Sequence, residues 1–202
     1  AGLAMGGMKP VVAIYSSFLQ RAYDQMLHDV ALQRLHVVFA IDRAGLVGAD
    51  GETHQGVYDI AYCLTMPYVE IYSPASKGEL EEMLKMAVEG DVPAAVRYGK
   101  GTLPDRVYPE VEYGKWVEIK PIAKVTVVAT GRMVEIAERA VENLDVGLVN
   151  ARFLKPFDTE MMDALLAEGK PLLIYEEVVA IGGLGSLLQQ YAAERSSRRF
   201  PW

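Results

Sequence analysis

The sequence has few cysteines, few cations and no long apolar run. Its single cysteine, Cys63, excludes an internal disulfide and fits a reducing compartment. The 20 Lys and Arg residues are outnumbered by 27 Asp and Glu residues, which gives a formal net charge of −7. A nucleic-acid-binding surface needs a basic footprint, so we expect no nucleic-acid partner. No apolar run approaches the roughly 20 residues of a membrane-spanning helix, so we expect no membrane segment.

The remaining composition is that of a well-packed α/β protein. The chain has 202 residues, of which 51% are hydrophobic, and this length suits one large domain or two of about 100 residues. Short β-branched runs alternate with helical periodicity, which predicts an α/β fold with two parallel-sheet domains. We place the first domain at residues 1–101 and the second at 122–202, joined by a proline-rich, charged linker at 102–121. Neither end forms a complete element, so we expect both domains to be incomplete.

A glycine-rich stretch follows the apolar run at residues 37–41, and the chain is organised around it. Such a run predicts a buried strand, and open α/β sheets bind ligands at the carboxyl ends of their strands. The stretch interleaves glycines with charged side chains: Asp42, Arg43, Gly45, Gly48, Asp50, Gly51, Glu52, His54 and Gly56. Gly51 lies between Asp50 and His54 and favours a folded loop over a helix. The alternative is a polar surface loop with turn glycines.

Aromatic and cationic side chains lie at two other predicted strand ends. Tyr15 and Phe18 flank the junction between the first predicted strand and a helix predicted over residues 18–32. Arg21 lies in the first turn of that helix, and Arg97 ends a later predicted strand. Cations at such positions suit an anionic group. The alternatives are core aromatics, a solvated Arg21 and a salt-bridged, edge-strand Arg97.

A resemblance to a known family rests on seven stretches of the sequence: residues 15–25, 41–51, 53–56, 95–98, 151–156, 176–177 and 182–183. They closely resemble the 1-deoxy-D-xylulose-5-phosphate synthase family, which belongs to the transketolase-like superfamily. The first two are long and separate this family from transketolases and from the β subunits of 2-oxoacid dehydrogenases. The resemblance covers essentially the whole chain. It implies a transketolase-like pyrimidine-binding domain followed by most of a transketolase C-terminal-like domain.

The resemblance implies an enzyme that condenses pyruvate with D-glyceraldehyde 3-phosphate and releases carbon dioxide. The product, 1-deoxyxylulose 5-phosphate, serves isoprenoid, thiamine and pyridoxal biosynthesis. The family uses thiamine diphosphate and Mg²⁺, and its members are homodimers. By the same resemblance we expect a cytoplasmic protein in a bacterium, or one of the plastid stroma in a eukaryote.

The resemblance also implies roles for individual residues. Four residues correspond to those that bind the aldehyde's phosphate or line its pocket: Tyr15, Arg21, Arg43 and Arg97. Phe18 is similar to the aromatic residue that stacks on the aminopyrimidine ring of the cofactor. Asp50 and His54 are similar to the pair that contacts the substrate and assists proton transfer.

The sequence also departs from the family pattern. The family's metal ligands and the glutamate that activates the cofactor correspond to no residue of this chain, so we expect no metal site here. We therefore predict that the chain is inactive alone and belongs to a longer protein. Two alternatives stay open. One is a β-type subunit of a split transketolase-like enzyme, completed by a partner chain. The other is a non-catalytic dimerisation module, which gives no reason to keep these aromatic and charged residues together.

Overall fold

The structure, a computed structural model, describes residues 1–195 of the 202-residue chain. These residues form two α/β units, each built on its own sheet, so the predicted fold class is confirmed. Residues 196–202 of the predicted second domain lie outside the described residues. No helix within residues 1–195 is long and apolar enough to cross a membrane.

Strands and helices alternate along most of the chain. The strands are β1 Val11–Tyr15, β2 Val38–Asp42, β3 Glu70–Tyr72, β4 Ala94–Arg97, β5 Val117–Lys120, β6 Thr126–Ala129, β7 Gly147–Asn150, β8 Phe153–Lys155 and β9 Leu172–Tyr175. The α-helices are α1 Gly2–Met5, α2 Asp59–Thr65, α3 Lys77–Glu89, α4 Met133–Val141, α5 Thr159–Ala167 and α6 Leu184–Arg195. Between β1 and β2 the chain forms a 3₁₀-helix, Ser16–Ala22, and a π-helix, Gln25–Ala31.

The first sheet has five strands in the order β1-β2-β4-β3-β8. The four strands from the first half of the chain are parallel, and the central ones, β2 and β4, are almost wholly buried. β8 comes from the second half of the chain and pairs antiparallel with β3. There the ring of Phe153 packs edge-on against Tyr72, with 4.9 Å between the ring centroids. β8 therefore adds one antiparallel strand to the parallel set that the sequence predicts.

The second sheet has the strand order β5-β7-β6-β9. β6, β7 and β9 are parallel, and β5 is antiparallel to β7. β5 falls within residues 102–121, which the sequence predicts to be a linker, and Val117 at its start is buried. A run of four residues is too short to show a strand period, and pairing with β7 makes it a strand.

Two helices begin at side-chain caps, and one predicted helix is irregular. Ser76 Oγ accepts a backbone N–H of α3 at 3.2 Å, and Asp158 Oδ1 accepts one of α5 at 3.0 Å. The helix predicted over residues 18–32 instead has 3₁₀ and π turns, and it begins without a side-chain cap. The 3₁₀ spacing of three residues turns Ser16 and Leu19 to the same side, where both are buried.

A buried polar network joins the two units. Glu79 at the start of α3 accepts hydrogen bonds from Asn150 Nδ2 at 3.0 Å and from Arg152 Nη1 at 3.3 Å. Arg152, only 2% exposed, also donates to the backbone carbonyls of Pro109 and Glu110 at 2.9 and 2.8 Å. Its guanidinium thereby fixes the connecting segment and both sheets in one arrangement.

Candidate active site

The candidate site begins where β1 and β2 end. Tyr15 and Asp42 are register partners, so the two strands finish at the same edge of the sheet. Arg43 follows with φ of +55°, a conformation that non-glycine residues adopt infrequently. Asp42 stabilises this conformation through two hydrogen bonds of 2.6 Å. Its Oδ1 accepts one from the backbone N–H of Arg43, and its Oδ2 accepts the other from Nη1 of the same residue. The backbone turn brings the guanidinium carbon of Arg43 to 3.9 Å from the centre of the Tyr15 ring.

A row of rings extends from that guanidinium. Tyr15 stacks on Phe18, with ring centroids 5.5 Å apart and planes 12° from parallel. His54 meets Phe18 edge-on at 5.3 Å and 73°. The Arg21 guanidinium lies 5.7 Å from the Phe18 ring centre, at the exposed side. The structure therefore brings together five of the predicted site residues from two separate stretches of sequence.

Residues 44–56, here called the site loop, bring His54 back to this row. Gly45 and Gly56 close the loop at its base through two backbone hydrogen bonds of 2.7 and 2.8 Å. Position 56 has no room for a side chain, because a Cβ on Gly56 would lie 2.1 Å from the carbonyl oxygen of Arg43. Within the loop, two 3₁₀ turns, Gly48–Asp50 and Glu52–His54, confirm the predicted folded loop in place of a helix.

Asp50 at the tip of the loop lies between two cations. Its Oδ2 accepts a hydrogen bond from Arg43 Nε at 3.3 Å, and its Oδ1 accepts one from Lys100 Nζ. The Lys100 hydrogen bond, followed by the contribution of Arg43, holds the pKa of Asp50 below its usual range. For Arg43, burial lowers the pKa, but Tyr15, Asp42 and Asp50 outweigh it and raise the value.

Lys100 is a member of this cluster that sequence reasoning missed. It lies between Gly99 and Gly101, just beyond the end of β4. Glycines on both sides of a lysine at the carboxyl end of a parallel strand were the available signal, since ligands of such sheets bind at those ends. The sequence instead predicts Arg97, three residues earlier, as the anion-binding residue, because it is the last residue of β4.

Arg97 lies apart from the cluster. It is the register partner of Ile41, whereas Tyr15 pairs with the next residue of β2, and neighbouring residues of a strand point to opposite faces. Its Nε donates to Asp59 Oδ2 at 2.7 Å and its Nη1 to Ser73 Oγ at 3.3 Å, with Arg97 only 6% exposed. These contacts match the salt-bridged alternative, although β4 is a central strand rather than an edge strand.

Two hydroxyl groups next to Phe18 bear on whether the site suits a cofactor ring. Ser16 Oγ and Ser17 Oγ are buried, and neither has a hydrogen-bond partner among the described residues. Both serines line a polar cavity of about 210 Å³. Buried hydroxyls without partners are unusual, and a bound polar group would satisfy them. A half-buried aromatic ring beside unpaired hydroxyls fits a flat ring with polar edges, such as an aminopyrimidine.

The described residues hold no group of three or more His, Cys, Asp or Glu side chains that could bind a metal ion. Asp42 and Asp50 are both engaged by cationic side chains of the cluster. Thus, of the cofactors that the resemblance implies, the residues of this site suit the organic ring.

Comparison with known proteins identifies the class to which this fold and site belong. The family model described as transketolase, pyrimidine binding domain, matches residues 1–106, and the transketolase C-terminal domain model matches residues 114–200. The chain therefore belongs to the transketolase family.

Curated relatives narrow the class further. The chain is 47% identical over 204 residues to 1-deoxy-D-xylulose-5-phosphate synthase of Clostridium tetani, an alignment covering 98% of the chain and 33% of that protein. It is 52% identical over 190 residues to a synthase of the same name from Thermus thermophilus, covering 92% of the chain and 31% of the relative. The chain thus spans about a third of the length of the curated relatives it matches, and its resemblance to this synthase family is confirmed.

Solved structures agree on the architecture. A structure described as split gene transketolase, inactive beta4 tetramer, superimposes with a TM-score of 0.85 at 28% identity, covering 96% of this chain and 66% of that one. A transketolase from Pichia stipitis superimposes with a TM-score of 0.71 at 21% identity, covering 86% of this chain and 28% of that one. The second comparison supports the fold alone.

Proposed function

We propose that the chain is part of a 1-deoxy-D-xylulose-5-phosphate synthase that condenses pyruvate with D-glyceraldehyde 3-phosphate. The observation that carries the proposal is the continuous row of Arg43, Tyr15, Phe18 and His54, with Asp50 fixed between two cations. The curated relatives of that name, which align over nearly all of the chain, support it. The proposed domains remain residues 1–101 and 122–202, and the proposed setting is a cytoplasmic homodimer active in isoprenoid, thiamine and pyridoxal biosynthesis.

In this proposal the phosphate of the aldehyde binds to Arg43, Lys100 and Tyr15, with Arg21 at the rim. Arg43 engages Asp42 through Nη1 and Asp50 through Nε, so among the described residues its Nη2 stays available for a phosphate oxygen. Lys100 uses one of its three N–H donors on Asp50, and within residues 1–195 the others have no hydrogen-bond partner. Arg97 is assigned instead to the packing between β4 and α2, because its Nε and Nη1 donate to Asp59 and Ser73, while its buried Nη2 has no partner among the described residues.

His54 is the group proposed to move a proton. Thr53 Oγ1 lies 3.0 Å from His54 Nδ1, which leaves Nε2 to exchange a proton with the substrate. The edge-on contact with Phe18 fixes the plane of the imidazole. Asp50 contributes by orienting Arg43 and Lys100 as well as by its own negative charge.

Phe18 is proposed to stack on the aminopyrimidine ring of thiamine diphosphate, with Ser16 and Ser17 beside the polar edge of the ring. Bound in this way, thiamine diphosphate supplies the carbanion and electron sink that decarboxylation of a 2-oxo acid requires. Mg²⁺ and the glutamate that activates the ring are assigned to segments that the relatives have and this chain does not cover. We therefore predict no synthase activity for the chain alone.

The test is a chimera in which these 202 residues replace the matching region of the Thermus thermophilus synthase, at 52% identity. Carbon dioxide and 1-deoxyxylulose 5-phosphate are measured with pyruvate, D-glyceraldehyde 3-phosphate, thiamine diphosphate and Mg²⁺. Formation of both products from pyruvate and the phosphorylated aldehyde supports the proposal. A folded chimera that binds thiamine diphosphate and forms no product would refute it. The chimera with His54→Gln is the inactive control.

One observation favours a second candidate, a β-type subunit completed by a partner chain. The solved structure with a TM-score of 0.85 is described as a split gene transketolase. Mixing the chain with a separately expressed N-terminal region of the Thermus thermophilus synthase distinguishes the candidates. Activity in the mixture shows that the two parts assemble without a covalent link, whereas activity in the chimera alone favours one continuous enzyme. A non-catalytic dimerisation module predicts activity in neither.

A further inference from the structure

The second unit reaches the site loop through one ion pair. Arg132, immediately before α4, donates from Nε and Nη2 to the two carboxylate oxygens of Glu177, each at 2.5 Å. The same Nη2 donates to the backbone carbonyl of Leu46 at 2.6 Å. Arg132 and Glu177 belong to the second unit, and Leu46 belongs to the site loop of the first. One guanidinium therefore links the two units at the base of the loop.

Two glycines allow this close approach. A Cβ at Gly45, where φ is +86°, would lie 2.5 Å from Oε2 of Glu177. A Cβ at Gly99 would lie 3.1 Å from Cδ of Arg132. The first is shorter than a real Cβ contact and the second is tight, so the ion pair packs directly on the backbone of the site. Two residues beyond Glu177, Val179 N–H donates to the carbonyl of Val57 at 3.0 Å, which adds a contact where the loop ends.

The Arg132–Glu177 pair is suited to hold a position rather than merely to add charge to a surface. The Glu177 side chain is 12% exposed and that of Arg132 is 32% exposed, so solvent screens the pair only in part. A two-point contact between guanidinium and carboxylate fixes direction as well as distance. The hydrogen bond to Glu177 raises the pKa of Arg132 against the effect of partial burial, so the cation stays charged.

We propose that Arg132 and Glu177 are positioning residues of the candidate site. They hold the base of the site loop, and the loop in turn places Asp50 beside Arg43 and His54 beside Phe18. Residues 176–177 are one of the stretches that carry the family resemblance, and they take no part in the proposed catalytic steps. The positioning role gives Glu177 a function in the site. The catalytic consequence rests on the proposed function, whereas the effect on the order of the loop does not.

The first test measures amide hydrogen exchange of the chain itself in peptides that cover the site loop. Arg132→Gln and Glu177→Gln each remove a hydrogen bond between charged groups, so we expect exchange across residues 45–56 to rise about tenfold or more. Arg139→Gln is the matched control, because it breaks an exposed pair with Glu135 on the same helix. Unchanged loop exchange in both site variants would overturn the proposal. Should Arg132→Gln unfold, Arg132→Lys keeps the charge but loses the fork, and it must still loosen the loop.

The second test measures steady-state kinetics in the Thermus thermophilus chimera. We expect Glu177→Gln to lower kcat/KM for the phosphorylated aldehyde about tenfold or more. A general loss of folded protein would lower the yield of active enzyme but leave KM as it was. If the unmodified chimera has no activity, that result counts against the proposed function and not against the ordering of the site loop. Amide exchange in the chain itself still tests whether Arg132 and Glu177 order the loop. Full kcat/KM together with a loosened loop would overturn the catalytic part.

Discussion

Lys100 donates a hydrogen bond to Asp50, although 50 residues separate them in the sequence. The contact joins the end of β4 to the tip of the loop that follows β2, and Arg43 completes it from the other carboxylate oxygen. Neither partner is strongly buried, with side chains 40% and 22% exposed, so the cluster can meet a ligand from solvent. Its pH dependence can be measured directly.

The pKa of Asp50 is held low, so acid should loosen the site loop. A carboxylate with a depressed folded pKa contributes stability that is fully present above the unfolded pKa, about 3.9, and is lost as pH falls through the lower folded value. We expect the carboxyl NMR resonance of Asp50 to titrate below that reference value. Lys100→Met should move the midpoint upward, because the largest cause of the depression is removed. A midpoint that does not respond to Lys100→Met would contradict the contact.

Removing Arg152 is predicted to cost much more stability than removing an exposed arginine. Its guanidinium is buried against Glu79 and against two backbone carbonyls of the connecting segment. Removing one partner of a buried ion pair costs about 3–5 kcal/mol, so Arg152→Met should lower the free energy of unfolding by that amount in a urea titration. The exposed pair of Arg139 and Glu135 sets the comparison, since Arg139→Gln should cost at most about 1 kcal/mol. Equal costs for the two variants would contradict the buried network.

Gly45 and Gly7 offer a matched pair of glycine substitutions. Both have positive φ, +86° and +82°, but a Cβ at Gly45 meets Glu177 whereas one at Gly7 meets nothing within 4 Å. Gly7→Ala should therefore cost only the backbone term of about 1–2 kcal/mol. Gly45→Ala should cost clearly more in the same urea titration and should also speed amide exchange in the site loop. Equal costs would show that Glu177 does not pack on the loop as described.

Cys63 should report on folding through its reactivity. The thiol is 1% exposed, and burial raises its pKa to about 12, with Asp59 adding to the shift. Because the thiolate is the reactive form, the folded chain should resist alkylation at pH 8 and react rapidly in denaturant. The measurement is the alkylated fraction over time by intact mass. Rapid alkylation of the native chain would contradict the packing of α2 against the first sheet.

Local sequence is sufficient to predict alternating strands and helices, and it also determines two helix starts. Ser76 and Asp158 act as caps through local hydrogen bonds, so a few neighbouring residues determine them. β5 and β8 escaped prediction because they have four and three residues, and a distant partner strand makes each of them a strand. In β8 the ring of Phe153 packs against Tyr72, which is distant in the sequence, so no local pattern predicts this contact.

The candidate site was predicted in the same uneven way. Strand ends and glycines pointed to Tyr15, Arg43, Asp50 and His54, and the structure brings these residues together. The placement of Arg97 depends on the register of β4 against β2, because a shift of one residue exchanges the two faces of the sheet. The roles of Lys100 and Arg132 depend on contacts across 50 and 86 residues, and although the glycines beside Lys100 mark a strand end, no local pattern identifies the partner of either cation.

The central claim is that Arg43 and Lys100 bind the phosphate of an aldehyde substrate. The most direct measurement is KM for D-glyceraldehyde 3-phosphate in the Thermus thermophilus chimera and in its Arg43→Met and Lys100→Met variants. Unphosphorylated D-glyceraldehyde is measured for comparison in place of the phosphorylated aldehyde, and Arg139→Gln is the control variant. We predict that each site variant raises KM for the phosphorylated aldehyde about 10- to 100-fold and leaves KM for the unphosphorylated one nearly unchanged. Equal changes for both aldehydes, or none for either, would contradict the account.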